Sequence, residues 1–137
     1  MTELPGEPAA EVVELATRLF GHARTGATKA LADYVAAGVP PNLANETGDT
    51  LIMLAAYHGH AETVRALLAA GADPDRPNDR GQTPLAGAVF KGETAVVKAL
   101  VDGGADPTAG QPSAVDTARM FGRTDLLAIF EQHPPTS

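Results

Sequence analysis

The side chains that could do chemistry are few, and their spacing does not suit it. His58 and His60 flank Gly59, a start for a metal site. Zinc needs three or four protein ligands, and no third ligand accompanies this pair at a metal-binding spacing. His60 is better read as support for the turn that Gly59 begins. Asp73-Pro74-Asp75-Arg76-Pro77-Asn78-Asp79 has the oxygen density of a calcium loop. It lacks the alternating Asp order and the turn glycine, two prolines interrupt it, and Pro84 stands where the bidentate Glu would be. It reads as a linking turn. His22 and His133 have no paired acids, and Glu11 and Glu14 fall on the solvent side of an amphipathic segment. There is no Cys, which removes disulfides, thiolate ligands and cysteine nucleophiles. Neither a Gly-Lys-Ser/Thr phosphate cradle nor a Gly-x-Ser-x-Gly elbow is present. The expectation is a protein that is not an enzyme and uses no cofactor and no metal.

The elements that must carry these residues follow from composition and period. The chain has 137 residues, enough for one domain, and 44% of them are hydrophobic but only 4% aromatic. Its core must therefore be built from Ala, Leu and Val in closely packed helices. The net charge of −7 opposes a phosphate-rich partner, and the ten Lys and Arg are scattered with no run among them. Neither nucleic acid nor a membrane surface is expected as a partner. No apolar run approaches the ~18 residues of a membrane span, and the acidic start shows no secretory pattern. A cytoplasmic location is expected.

The organising feature is a repeat. Gly48, Thr50, Gly59 and Gly71 return as Gly81, Thr83, Gly92 and Gly104, each at an offset of 33 residues. Gly26 and Gly38 precede Gly59 and Gly71 by the same distance. A fixed period of this length marks stacked helical units. Each unit reads as turn, helix, glycine break, helix, glycine, loop. The fold class predicted is an all-α repeat, an α-solenoid of about four helix-turn-helix units joined by hairpin-like loops. The units run about 9–44, 45–77, 78–110 and 111–133, between a flexible leader at 1–8 and a flexible tail at 134–137. In the first helix Val12, Leu15, Ala16, Leu19, Phe20 and Ala23 form one apolar stripe predicted to face inward. The last unit is shorter, Gly122 following Gly92 by 30 residues, and ends in polar Glu131-Gln132 as a solvent-facing end of a stack should.

Gly48-Asp49-Thr50-Leu51-Ile52-Met53-Leu54-Ala55-Ala56-Tyr57-His58-Gly59-His60, Gly71-Ala72-Asp73, Gly81-Gln82-Thr83-Pro84-Leu85 and Gly104-Ala105-Asp106 resemble ankyrin repeats. The resemblance covers roughly residues 14–132 and is strongest in the two central units. It departs at Met53 and Ala86, where the family usually has His, and at Leu51, where it has Pro. Gly87 replaces a large apolar residue, costing helix propensity of about 1 kcal/mol and leaving space beside it. The resemblance implies a protein-binding module with a concave surface of loop tips and first-helix ends.

On that surface the loop tips supply Glu46, Thr47, Asp49, Asp79, Arg80 and Gln82. The helix ends supply Arg24, Tyr57, His58, Phe90, Lys91, Met120 and Phe121. Tyr57, Phe90 and Met120 should align as an apolar ladder, and Tyr and Phe are favoured at binding cores. Packing against the adjacent unit would be the ordinary alternative for Phe90 and Met120. The expected partner is a protein, with a basic segment steered by Glu46, Asp49 and Asp79. The chain is expected to be monomeric when unbound; the alternative is an obligate regulatory or chaperone-like subunit of one specific protein.

Overall fold

The computed structural model describes residues 10–132. The leader at 1–8, the tail at 134–137 and His133 lie outside the described residues. Among the described residues eight helices follow one another as four pairs: α1 (Ala10–Thr25) with α2 (Thr28–Ala36), α3 (Leu51–Tyr57) with α4 (Ala61–Ala69), α5 (Pro84–Lys91) with α6 (Thr94–Asp102), and α7 (Ala114–Met120) with α8 (Thr124–Gln132).

Local chemistry starts α3, α5 and α7 in the same way. Thr50, Thr83 and Ser113 are extended, and their hydroxyls accept from the backbone N–H three residues on, at Met53, Ala86 and Asp116. This satisfies one of the donors that a helix N-terminus leaves without a partner. Pro84 adds a preset φ at the first position of α5.

The helices form two layers. The inner helices α1, α3, α5 and α7 pack in succession, as do the outer helices α2, α4, α6 and α8, and each inner helix packs on its own outer partner. Contacts thus run between neighbours along one axis, as in a solenoid. Ala55, Ala88 and Ala118 recur at one position of α3, α5 and α7 and are fully buried, so the inner helices can approach closely. Leu19, Leu31, Leu51, Ile52, Leu67, Leu85, Leu100 and Leu126 fill the shared core.

Val12 corrects the predicted stripe. It is 57% exposed, and only Leu19, Phe20 and Ala23 of α1 are buried. At 16 residues α1 is about twice as long as α3, α5 or α7, so its first turns extend past the helix it packs on. Tyr34 and Val35 of α2 lie inward, partly buried against the core.

The units are tied by polar contacts of matching register. His60 Nε2 donates to the Arg24 carbonyl at 2.7 Å, linking the second unit to the first. Gly26 makes room for that ring: its φ is 78°, and a Cβ there would stand 2.6 Å from His60 Nδ1. In the loops, Asn42 Oδ1 accepts from Asp73 N at 2.7 Å, and 33 residues later Asp75 Oδ1 accepts from Asp106 N at 2.7 Å.

Candidate functional site

The loops before each inner helix are closed by their own side chains. Asn45 Oδ1 accepts from the backbone N–H groups of Thr47 and Asp49. Asn78 Oδ1 does the same for Arg80 and Gln82, and Ala44 and Thr50 form an isolated antiparallel bridge across the base of the first of these loops. Asn78 is buried, and its amide donates at 2.9 Å to both Asp49 Oδ1 and Gln82 Oε1, binding one loop to the next. The Asp79 N–H donates to the Thr47 carbonyl at 3.0 Å.

Between these loops and the ends of the inner helices lies a groove of about 630 Å³. One wall is the helix-end ladder. Tyr57, Phe90, Met120 and Phe121 are 40%, 59%, 71% and 50% exposed, so the ladder does not fold away between units. Phe121 meets Phe90 edge to face at 5.8 Å between ring centres. Lys91 places its ammonium 4.9 Å from the Tyr57 ring centre, and His58 stands edge-on to the same ring at 5.6 Å.

Of the residues expected from sequence, Arg24, Asp49, Tyr57, His58, Arg80, Gln82, Phe90, Met120 and Phe121 line this groove. Glu46, Thr47, Asp79 and Lys91 do not. The floor was missed: Met53 and Leu54 of α3, Ala86 and Gly87 of α5 and Thr117 of α7, with Asn78 and Pro112 from the loops. The signal was available, because residues three or four before each ladder position share its helix face. Ala86 and Gly87 are small, which deepens the floor between Met53 and Phe90.

The polar groups of the groove divide into two kinds. Asp49 is committed to the fold, since Oδ1 accepts from Asn78 and Oδ2 accepts from the Thr47 hydroxyl at 2.8 Å. Gln82 is engaged by Asn78. Ion pairs among the described residues join Lys29 to Asp33, Arg65 to Asp102, Arg119 to Asp116 and Arg123 to Asp125. None of them uses Arg24 or Arg80. Among the described residues, no group of three or more His, Cys, Asp or Glu could hold a metal ion, and no helix is long and apolar enough to cross a membrane.

A family model for ankyrin repeats, in three copies, matches residues 19–111. The chain belongs to the ankyrin-repeat family. An ankyrin repeat protein of Pseudomonas aeruginosa is 48% identical to it over 66 residues, which is 47% of this chain and 39% of that protein. The match therefore spans about two-fifths of the relative's length. Ankyrin repeats generally mediate protein–protein interaction and are typically non-catalytic.

Proposed function

We propose that this ankyrin-repeat chain is a non-catalytic docking module that seats a segment of a partner protein in the groove between its loops and inner helices. One observation carries the reading. Six large apolar side chains are exposed among the described residues, and four of them, Tyr57, Phe90, Met120 and Phe121, stand together on this groove. Single exposed apolar residues are ordinary, but a contiguous row marks a contact surface. The loop-to-loop hydrogen bonds of Asn78 hold that surface in place, which lowers the ordering cost of association.

The module acts as a monomer in this reading, and its lack of Cys suits a reducing cytoplasm. The expected steering by Glu46, Asp49 and Asp79 has less support than the groove itself. Two of these residues lie outside it, and the third is hydrogen-bonded at both oxygens. The alternative of an obligate subunit calls for a chain that is unstable alone, whereas the continuous core from Leu19 to Phe130 favours independent folding. The test is affinity capture with the full chain beside the Tyr57→Ala/Phe90→Ala double variant. The partner should be lost from the variant while folding stays nearly intact, because both side chains are largely exposed. Equal capture by both proteins would overturn the proposal.

A further inference from the structure

The ladder position begins one unit earlier than its apolar members. Counting back from Phe90 and Tyr57 by the repeat offset reaches Arg24, at the same place on α1. The row along the groove wall is therefore Arg24, Tyr57, Phe90, Met120: a cation at the first unit, then three apolar side chains. Arg80 faces the same groove from the loop side. Neither guanidinium has an ion-pair partner among the described residues. The one groove carboxylate, Asp49, has both oxygens occupied by Asn78 and Thr47. A chain of net charge −7 thus carries a groove whose uncommitted charge is positive.

We propose that the groove selects an acidic–apolar segment of a partner protein, its carboxylates toward Arg24 and Arg80 and its large apolar side chain over Tyr57 and Phe90. This inference rests on the docking reading above and adds the chemistry of the occupant. The complementarity is local: the molecule as a whole repels an acidic segment, so attraction at the groove alone fixes where and in which register it lands. A basic segment would instead be drawn to the acidic surface at large and gain no register. Two guanidinium groups are too few for nucleic acid. About two phosphate contacts release about two counterions, against the six to ten of typical DNA-binding proteins.

The experiment uses the full chain as bait for a random-peptide display library, followed by fluorescence anisotropy with the selected peptides. Enrichment of Asp or Glu close to a Phe, Trp or Leu is expected. Affinity should fall about tenfold or more in Arg24→Glu/Arg80→Glu, a loss of about 1.4 kcal/mol, and stay within a few-fold in Arg24→Lys/Arg80→Lys. It should also fall with salt, as the screening length shrinks from about 10 Å at 0.1 M to about 3 Å at 1 M. Selected peptides that need Tyr57 and Phe90 but are neutral or basic, and ignore Arg24→Glu/Arg80→Glu, would sink the acidic occupant and leave the docking reading intact. Peptides insensitive to Tyr57→Ala/Phe90→Ala, or no selected peptide at all, would remove both. Competition by a single-stranded oligonucleotide at equal concentration would overturn the choice of a protein segment.

Discussion

Asp75 offers a test of how the units are joined. Burial raises its carboxyl above the ordinary carboxylate value; the Asp106 N–H that donates to it works in the opposite direction, and the charges of Asp106 and Asp73 add to the rise. One unit earlier the same role is filled by Asn42, whose side-chain oxygen accepts from Asp73 N at the same 2.7 Å that separates Asp75 Oδ1 from Asp106 N. The carbonyl of an amide therefore suffices for the link, and the charge on Asp75 is a cost. Asp75→Asn should keep the hydrogen bond, remove the charge and leave the protein as stable as wild type or more stable at pH 7. The gain should stay below about 1 kcal/mol, because the group is only partly buried and its repulsions are screened. Asp75→Ala should lose the acceptor and cost about 1 kcal/mol, or roughly 3–5 °C in melting temperature for a chain of this size. The pH dependence has a definite sign. An acid whose value is raised on folding holds its proton more tightly in the native state. Its stabilising contribution is present when it is protonated and is lost as pH rises from the ordinary 3.8 through the raised value. The difference in melting temperature, wild type minus Asp75→Asn, should thus become more favourable to wild type as pH falls through that window. The measurement is differential scanning calorimetry of the three proteins from about pH 3 to 7. If Asp75→Asn falls as far as Asp75→Ala at pH 7, the carboxylate charge is itself required and the reasoning from Asn42 fails.

Two further substitutions probe the elements beneath the groove. Thr83 is buried and caps α5 through Ala86 N; Thr83→Ala should cost about 1–2 kcal/mol by thermal melt, and Thr83→Ser should restore most of it. A Thr83→Ala protein as stable as wild type would show that the cap contributes nothing. Gly87 is helical, and a Cβ there would meet Tyr57 Cδ2 at 3.7 Å and Met53 Sδ at 4.0 Å, ordinary contact distances. Gly87→Ala should therefore raise stability by about 0.5–1 kcal/mol, and a lower melting temperature would mean that the groove floor needs the glycine for a reason other than space.

The fold was legible because its signals are local and repeat. Gly26, Gly59 and Gly92 mark the helix breaks, Thr50 and Thr83 mark the helix starts, and each adopts the backbone that its chemistry favours. Val12 was misread because periodicity describes a helix face but not how far the neighbouring helix extends along it. At the candidate site the ladder could be placed by offset alone, and its exposure could not, since Phe90 is apolar whether it packs inward or outward. The groove floor at Met53, Ala86 and Gly87 was visible as a departure from the family pattern, yet its meaning depends on what stands above it. Asn78 was the least legible residue of importance. Inside an acidic, proline-containing stretch it resembles any turn residue, and only its register with Asn45 marks it as the loop organiser.

That register also explains why polar residues at equivalent loop positions have different roles. Thr47 and Arg80 are one repeat apart. The Thr47 hydroxyl bonds Asn45 at 3.0 Å and Asp49 at 2.8 Å, closing its own loop. At the next loop the backbone, including the Arg80 N–H, is closed by Asn78 without the side chain of residue 80, and that side chain is left to face the groove. Arg24 stands in the same relation to Tyr57 and Phe90: the fold uses its carbonyl, through His60, and leaves its guanidinium available. A repeat can vary where another group closes the backbone, as Asn78 does beside Arg80. In this chain those positions converge on the groove, where two cations stand at places that the neighbouring units fill with a structural hydroxyl and an aromatic ring. On the proposal above, selectivity for a partner would come from residues that the stack tolerates but does not need, and Arg24→Glu/Arg80→Glu should stay folded, as a thermal melt would check.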